Sequence, residues 1–316
     1  TKNAGFACFG SISEILSDLK SHSEEEVFTL VQRRYRGIQL MRKLLGDDNI
    51  GFQQQGGHEL FLDSDSALFE QCLKEMENLN KLLNPIFGQD PFMKNDNLFG
   101  FGQIQSNYIT QQFEGQLDTG QMMKTLLQKC LKKSIHILNG ITVKDLSDSG
   151  TSAMVGTSQF EFKSKKVLVA TNGFASKLLP TENVVPARAQ VLITAPIKNL
   201  KIKGTFHFDQ GYYYFRNIDD RILFGGGRNL DLKTEETSNF GQTKLIQDHL
   251  EKLLNTVILP HQQVEIAQRW SGIMGVGKQK SPIVKQLSNN ISCGVRLGGM
   301  GVALGSLVGK ELAELV

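Results

Sequence analysis

Four glycine-bearing segments of this chain carry residue types suited to a small-molecule site. In Arg296–Ala303 (RLGGMGVA), three glycines fall in four positions at the start of a helical pattern. Glycine lets backbone approach a ligand closely, and the free N–H groups and positive dipole end of a helix start favour a developing negative charge. A Gly-rich turn packed against a neighbouring helix has the same composition. In Val167–Ala175 (VLVATNGFA), an apolar strand ends in small residues, which is where open α/β sheets place ligands, although a plain strand exit reads alike. Lys2–Gly10 (KNAGFACFG) can expose backbone donors to a phosphate or ring, or form a surface loop. Trp270–Pro282 (WSGIMGVGKQKSP) sets the only tryptophan beside several glycines, which suits a pocket rim or a core position.

The elements that must position these segments are legible from periodicity. Ser23 and Glu26 form a capping-box pattern, and Val27, Leu30, Val31, Tyr35, Ile38, Met41 and Leu45 follow at helical spacing. Gly57–Leu62 reads as a strand, and a second helix is predicted from about Ser66 to Leu83. A helix over Met122–Lys133 is followed by predicted strands Ser134–Leu138 and Thr142–Leu146 and a polar turn, SDSGTS. Val167–Ala170 is continuously apolar, as expected of a central strand buried on both faces. YYYFRN-IDD-RILFGGG is a hairpin pattern with Tyr212, Tyr214 and Arg216 on one face and Tyr213 and Phe215 on the other. A helix over Thr243–Val257 and a final helix after the glycine cluster complete the pattern.

Composition narrows the function classes. The 316 residues exceed the usual single-core size, which predicts two domains. A net charge of +3 with mixed signs argues against a nucleic-acid partner and for a small molecule. Cys8, Cys72, Cys130 and Cys293 form no CxxC pair, and the six histidines show no ligand spacing, so neither a disulfide framework nor a metal site is predicted. No apolar run reaches the roughly 18–20 residues of a membrane span. With no signal peptide visible, a cytoplasmic location is the expectation.

Taken in order, KNAGF, QLDTGQMMKTLL with NGITVKDL, KKVLVATNGFASKLLP, PARAQV, the tyrosine hairpin, WSGIMGVGKQKSP and LGGMGVALG resemble the D-amino-acid-oxidase-like FAD oxidoreductases. That family includes glycine oxidase, sarcosine oxidase and γ-glutamylputrescine oxidoreductase. The resemblance implies an α/β (α+β overall) fold with a Rossmann-like FAD-binding domain interleaved with a β-sheet-based substrate domain. The FAD-binding part is assigned to 1–22, 113–182 and 269–316, and the substrate or cap part to 23–112 and 183–268. The family's opening strand, GxGxxG loop and following acidic residue have no counterpart here. The expectation is that they precede KNAGF in nature, and that the chain as written holds FAD poorly by itself.

The resemblance also implies roles. Asn3, Ala4, Gly5 and Phe6 would contact the cofactor, Val143 would clamp adenine, and Ala170, Thr171, Asn172 and Gly173 would lie against the pyrophosphate and ribityl chain. Gly298, Gly299, Met300, Gly301, Val302 and Ala303 would set a helix N-terminus at the flavin N1–C2 edge, where it stabilises the reduced, anionic ring. A C–N bond of a small amine or amino acid would lose a hydride to flavin N5, the imine would hydrolyse, and oxygen or another acceptor would take the electrons. No side-chain catalytic constellation is required. Pocket candidates are Tyr212, Tyr214, Arg216, Trp270, Met274 and Met300. Met274 stands where amino-acid oxidases of the family carry a carboxylate-binding arginine, which leaves Arg216 as a substitute and shifts weight toward amines. The segment after W-x-G has no cysteine, so FAD is expected to be non-covalent. The competing readings are an FAD-binding accessory subunit without turnover and an oxidoreductase module acting on an aminoalkylated tRNA base.

Overall fold

The computed structural model describes residues 2–316. Its frame is a mixed α/β arrangement around an eight-stranded sheet. The strands run in the order Ile266–Val276, Val185–Thr194, Arg221–Gly226, Tyr213–Ile218, Thr205–Phe208, Gly57–Glu59, Asn107–Gln111 and Phe92–Asp96. All neighbours are antiparallel except Thr205–Phe208 and Gly57–Glu59, which pair in parallel. The tyrosine hairpin alternates as its sequence requires: Tyr213 and Phe215 are buried with Phe206, Phe208 and Phe224 in an aromatic core. Phe206 stacks on Phe215 with ring centroids 4.8 Å apart. The Lys244–Leu253 helix covers this core through Ile246 and Leu250. Burying each such side chain contributes roughly 1.5–3 kcal/mol.

A second layer is helical. Glu24–Leu45 begins at the capping box read from the sequence: Glu26 donates its N–H to Ser23 Oγ, and Ser23 donates its N–H to Glu26 Oε2. The Ser66–Phe87 helix runs past its expected end, through Pro85, and stops at Gly88 in the left-handed conformation. A short helix, Ile12–Leu19, for which the sequence pattern set no expectation, follows the glycine-rich opening loop, and Ser11 caps it. The C-terminal helix, Gly301–Ala313, crosses Glu24–Leu45 at Gly37, where an added Cβ would sit 1.9 Å from the Ala303 carbonyl oxygen.

Two sequence expectations are corrected. Ser134–Leu138 forms no strand. Ser134 takes φ 55°, Ile135 hydrogen-bonds back to Cys130, and Ile135, Ile137 and Leu138 are exposed without a partner strand. Val167–Val169 is a strand, but it pairs on one side only, in parallel with Ile291–Val295. With a neighbour on one side among the described residues, Leu168 is 40% exposed and only Val169 is buried, so the run is not covered on both faces. A separate meander, Val143–Asp148, Ala153–Thr157 and Glu161–Ser164, follows the Thr119–Lys132 helix. No helix among the described residues is long and apolar enough to cross a membrane.

Candidate active site

The opening loop, the glycine cluster and the large sheet meet around a cavity of about 800 Å³. One wall is the loop: Asn3, Ala4 and Phe6 line the cavity, and Gly5 bends beneath it at φ 82°. Gly5 has to be glycine, because a Cβ there would meet the Leu117 carbonyl oxygen at 2.5 Å. Facing it, Gly298, Gly299, Met300 and Gly301 line the cavity at the start of the C-terminal helix. Among the described residues no side chain caps that helix, and a Cβ on Gly298 would meet nothing within 4 Å. An uncapped helix N-terminus opening on a space of this size suits an anionic or electron-rich ring.

The VLVATNGFA turn reaches the same place through one residue. Asn172, at φ 45°, lines the cavity and accepts the Leu297 N–H on Oδ1 at 2.9 Å, tying the turn to the glycine cluster. Gly173 is buried under the Met274 carbonyl. Ala170 and Thr171 are exposed and stand outside the cavity lining. Val302 lines a smaller, largely apolar cavity of about 430 Å³, which shares Asn3 and Gly301 with the larger one. Ala303 is buried against Gly37, and Val143 lies on the separate meander, lining neither cavity.

Of the pocket candidates, Tyr212, Tyr214, Met274 and Met300 are brought together on the cavity wall. Trp270 and Arg216 are not. Trp270 donates its Nε1–H to the Lys2 carbonyl at 3.2 Å and so holds the loop from behind. Arg216 is buried, and its Nη1 donates to the Gly5 and Leu117 carbonyls at 3.2 and 2.9 Å. Burial lowers its pKa to about 10. Nη1 is spent on backbone while Nε is buried without a partner among the described residues, so Arg216 shapes the loop and stands outside the cavity lining.

Several ionisable cavity residues escaped the sequence reading. Glu114 is buried, and its Oε1 accepts the Phe9 and Gly10 N–H groups at 2.6 and 3.2 Å. Burial nonetheless pushes its carboxyl up to about 8. Glu14 is half-buried, which raises its carboxyl, yet Arg34 and Lys280 hold its pKa below the usual range. Burial lowers His207 to about 4, leaving a neutral imidazole near pH 7. Burial also raises Tyr214 to about 12. Arg34, Arg228 and Lys280 complete the set. FEGQLDTG, GGGRN and GVGKQKSP contained three of these residues, but nothing in the local pattern marks which side chains face inward.

The raised carboxyl of Glu114 has a measurable consequence. Between the ordinary carboxylate range and about 8, the folded protein keeps a proton that the unfolded chain releases. Stability is therefore fullest below that window and falls as pH rises through it. Glu59, raised to about 7 by burial, adds to the same slope. Glu114→Gln is expected to flatten, without abolishing, the fall in melting temperature between about pH 5 and about pH 8. An unchanged slope would contradict the assignment of Glu114 as a buried neutral acid.

Comparison with known proteins agrees with this geometry. The model of the DAO family, described as FAD dependent oxidoreductase, matches residues 2–315, and the chain belongs to that family. It is an FAD-dependent oxidoreductase. The fold is similar to glycine oxidase from Bacillus cereus, with TM-score 0.78 and 14% identity over 99% of this chain and 85% of that one. It is also similar to glycine oxidase from Geobacillus kaustophilus (TM-score 0.77, 16% identity, 99% and 83% covered). Iminodiacetate oxidase from Chelativorans sp. BNC1 follows at TM-score 0.72 and 16% identity, with 99% and 84% covered. No curated protein matches the chain.

Proposed function

We propose that this enzyme oxidises a C–N bond in a small amine or amino acid, in a pocket formed where the uncapped helix at Gly301 faces Tyr212, Tyr214 and Met274. That juxtaposition is the observation that carries the reading. When bound, FAD supplies a two-electron acceptor for the hydride leaving the carbon next to nitrogen, and water then converts the imine to a carbonyl compound and an amine. The chain's own contribution is positional. Asn3, Ala4, Phe6 and the Gly298–Gly301 cluster would hold the ring, and the first turn of the C-terminal helix favours negative charge beside it. The tyrosine and methionine wall excludes water and presses the substrate toward the ring. Neutral His207 and the buried acid Glu114 add no fixed charge there.

The smaller apolar cavity shares Asn3 and Gly301 with the larger, so it would take a further portion of the same extended cofactor. Segments 1–22, 113–182 and 269–316 are assigned to FAD, and 23–112 and 183–268 to substrate. Attachment is non-covalent: Cys8 is the one thiol lining either cavity beside Cys130, and burial and then Glu114 raise its pKa well above the ordinary thiol value. The neighbours named for glycine, iminodiacetate and L-amino acids favour an amino-acid-like substrate.

Anaerobic mixing with a panel of amines, N-methyl amino acids and D- and L-amino acids tests the reading. Bleaching of the yellow flavin by at least one of them is expected, and oxygen uptake against dye reduction then distinguishes the acceptor. Bound flavin that no panel member reduces would favour an accessory role. Acid precipitation is expected to leave the flavin in the supernatant, whereas flavin retained on the precipitate would overturn non-covalent attachment.

A further inference from the structure

The wall of the larger cavity crosses five strands of the large sheet. Met274 on Ile266–Val276, Val191 on Val185–Thr194, Gly226 on Arg221–Gly226, Tyr214 on Tyr213–Ile218 and His207 on Thr205–Phe208 all line it. Neighbouring strands stand about 4.8 Å apart, so the wall spans about 19 Å from Met274 to His207. A two-carbon amino acid beside a flavin ring would leave the His207 end unfilled.

That far end has its own chemistry. His207 stands directly opposite Tyr214 in the ladder. Its imidazole makes no hydrogen bond among the described residues, and Nε2 is buried without a partner. Burial lowers its pKa to about 4, so near pH 7 the ring is neutral and offers a lone pair. Glu14, from the Ile12–Leu19 helix, lines the same end, and its charge acts on His207. The Glu14 carboxylate is loosely held: Oε2 accepts the Ser11 N–H at 3.4 Å and Oε1 accepts Lys280 Nζ at 3.3 Å. Lys280 sits closer to Asp18, at 2.7 Å. Arg34 is committed to the Phe9 carbonyl. The formal charges of Glu14, Asp18, Arg34 and Lys280 cancel, so an arriving cation meets no net positive field. Buried polar atoms call for partners. A neutral acceptor beside a carboxylate with spare lone pairs matches a charged group with several N–H donors, an ammonium.

We propose that His207 and Glu14 form a subsite for a second amino group of the substrate, at the far end of the cavity from the glycine cluster. This rests on the C–N oxidation reading and narrows its substrate to diamines and amino acids with a basic side chain.

The probe is 2,5-dimethylhexane-2,5-diamine. Neither carbon next to its nitrogens carries hydrogen, so it has no hydride to give and binding is read without turnover. Its control, 2,5-dimethylhexan-2-amine, has the same skeleton with one nitrogen. Calorimetric titration of the FAD-loaded protein should find the diamine about 10- to 100-fold tighter, the worth of one hydrogen bond to a charged group. His207→Leu should bring the diamine to within about twofold of the monoamine and leave the monoamine within about twofold of its parent value. His207→Gln, which keeps an acceptor, should fall between. No side-chain hydrogen bond is lost at His207, so both variants should melt with the parent protein. Equal parent affinity for the two compounds, or a preference that survives His207→Leu, would overturn the proposal. Flavin that no amine reduces would instead sink the oxidation reading, and the two results are read separately.

Discussion

Replacing Glu235 with alanine is expected to destabilise the protein by about 3–5 kcal/mol, the usual cost of stranding a buried charge. The Glu235 side chain is fully buried and that of Arg188 is 10% exposed. Oε2 accepts Arg188 Nε at 2.8 Å, while Oε1 accepts Arg188 Nη2 at 2.7 Å and Gln190 Nε2 at 2.9 Å. The paired carboxylate raises the Arg188 pKa. Removing it leaves a guanidinium and an amide inside the protein on the Val185–Thr194 strand, whose Ala189 and Val191 line the cavity. Urea unfolding measures the effect. Glu235→Gln should cost less, because shape and one acceptor survive. The double change Arg188→Met with Glu235→Leu should recover most of the loss, since replacing both charges with apolar groups removes the desolvation penalty. A Glu235→Ala variant within about 1 kcal/mol of the parent would show that the pair is solvated.

Gly37→Ala should destabilise the protein by about 2–3 kcal/mol, lowering its melting temperature by roughly 3–5 °C. It should also weaken FAD binding. Two effects oppose each other at this position. Alanine is the better helix former by about 1 kcal/mol, but its Cβ would stand 1.9 Å from the Ala303 carbonyl and 3.5 Å from Leu307 Cβ. Backbone cannot swing aside as a flexible side chain can, so contact wins over propensity. Relief comes from moving the first turn of the C-terminal helix, and with it Gly301, which lines both cavities. Gly309→Ala is the control: nothing lies within 4 Å of its Cβ, and the gain in propensity of about 1 kcal/mol should appear undiminished. Thermal unfolding and an FAD fluorescence titration read both variants. A Gly37→Ala protein more stable than its parent would refute the close crossing.

Local pattern carried much of this molecule. The Ser23 capping box and the hairpin alternation depend on residues a few positions apart, and both stand in the structure as read. The glycine cluster and the KNAGF loop were recognisable because glycine there answers a local demand for backbone approach. What escaped depended on distant partners. The apolar composition of Ser134–Leu138 suits a strand, but no neighbour supplies hydrogen bonds. The direction of Arg216 follows strand alternation, yet alternation does not say that the Gly5 and Leu117 carbonyls lie across its path. Glu114 accepts from Phe9 and Gly10, about a hundred positions away in the chain, and it is burial, against the pull of those two bonds, that raises its carboxyl.

The contacts that close the cavity span the chain. Phe6–Ala7 pairs with Gly115–Gln116, Trp270 reaches Lys2, and Gly37 meets Ala303. Such non-local closure makes folding slow. The Lys2–Gly10 loop meets partners more than a hundred positions away, and the Gly298–Gly301 cluster completes the same wall. The cavity wall is therefore assembled by tertiary closure and not by any one contiguous stretch of chain, so it forms together with the packing of the surrounding elements.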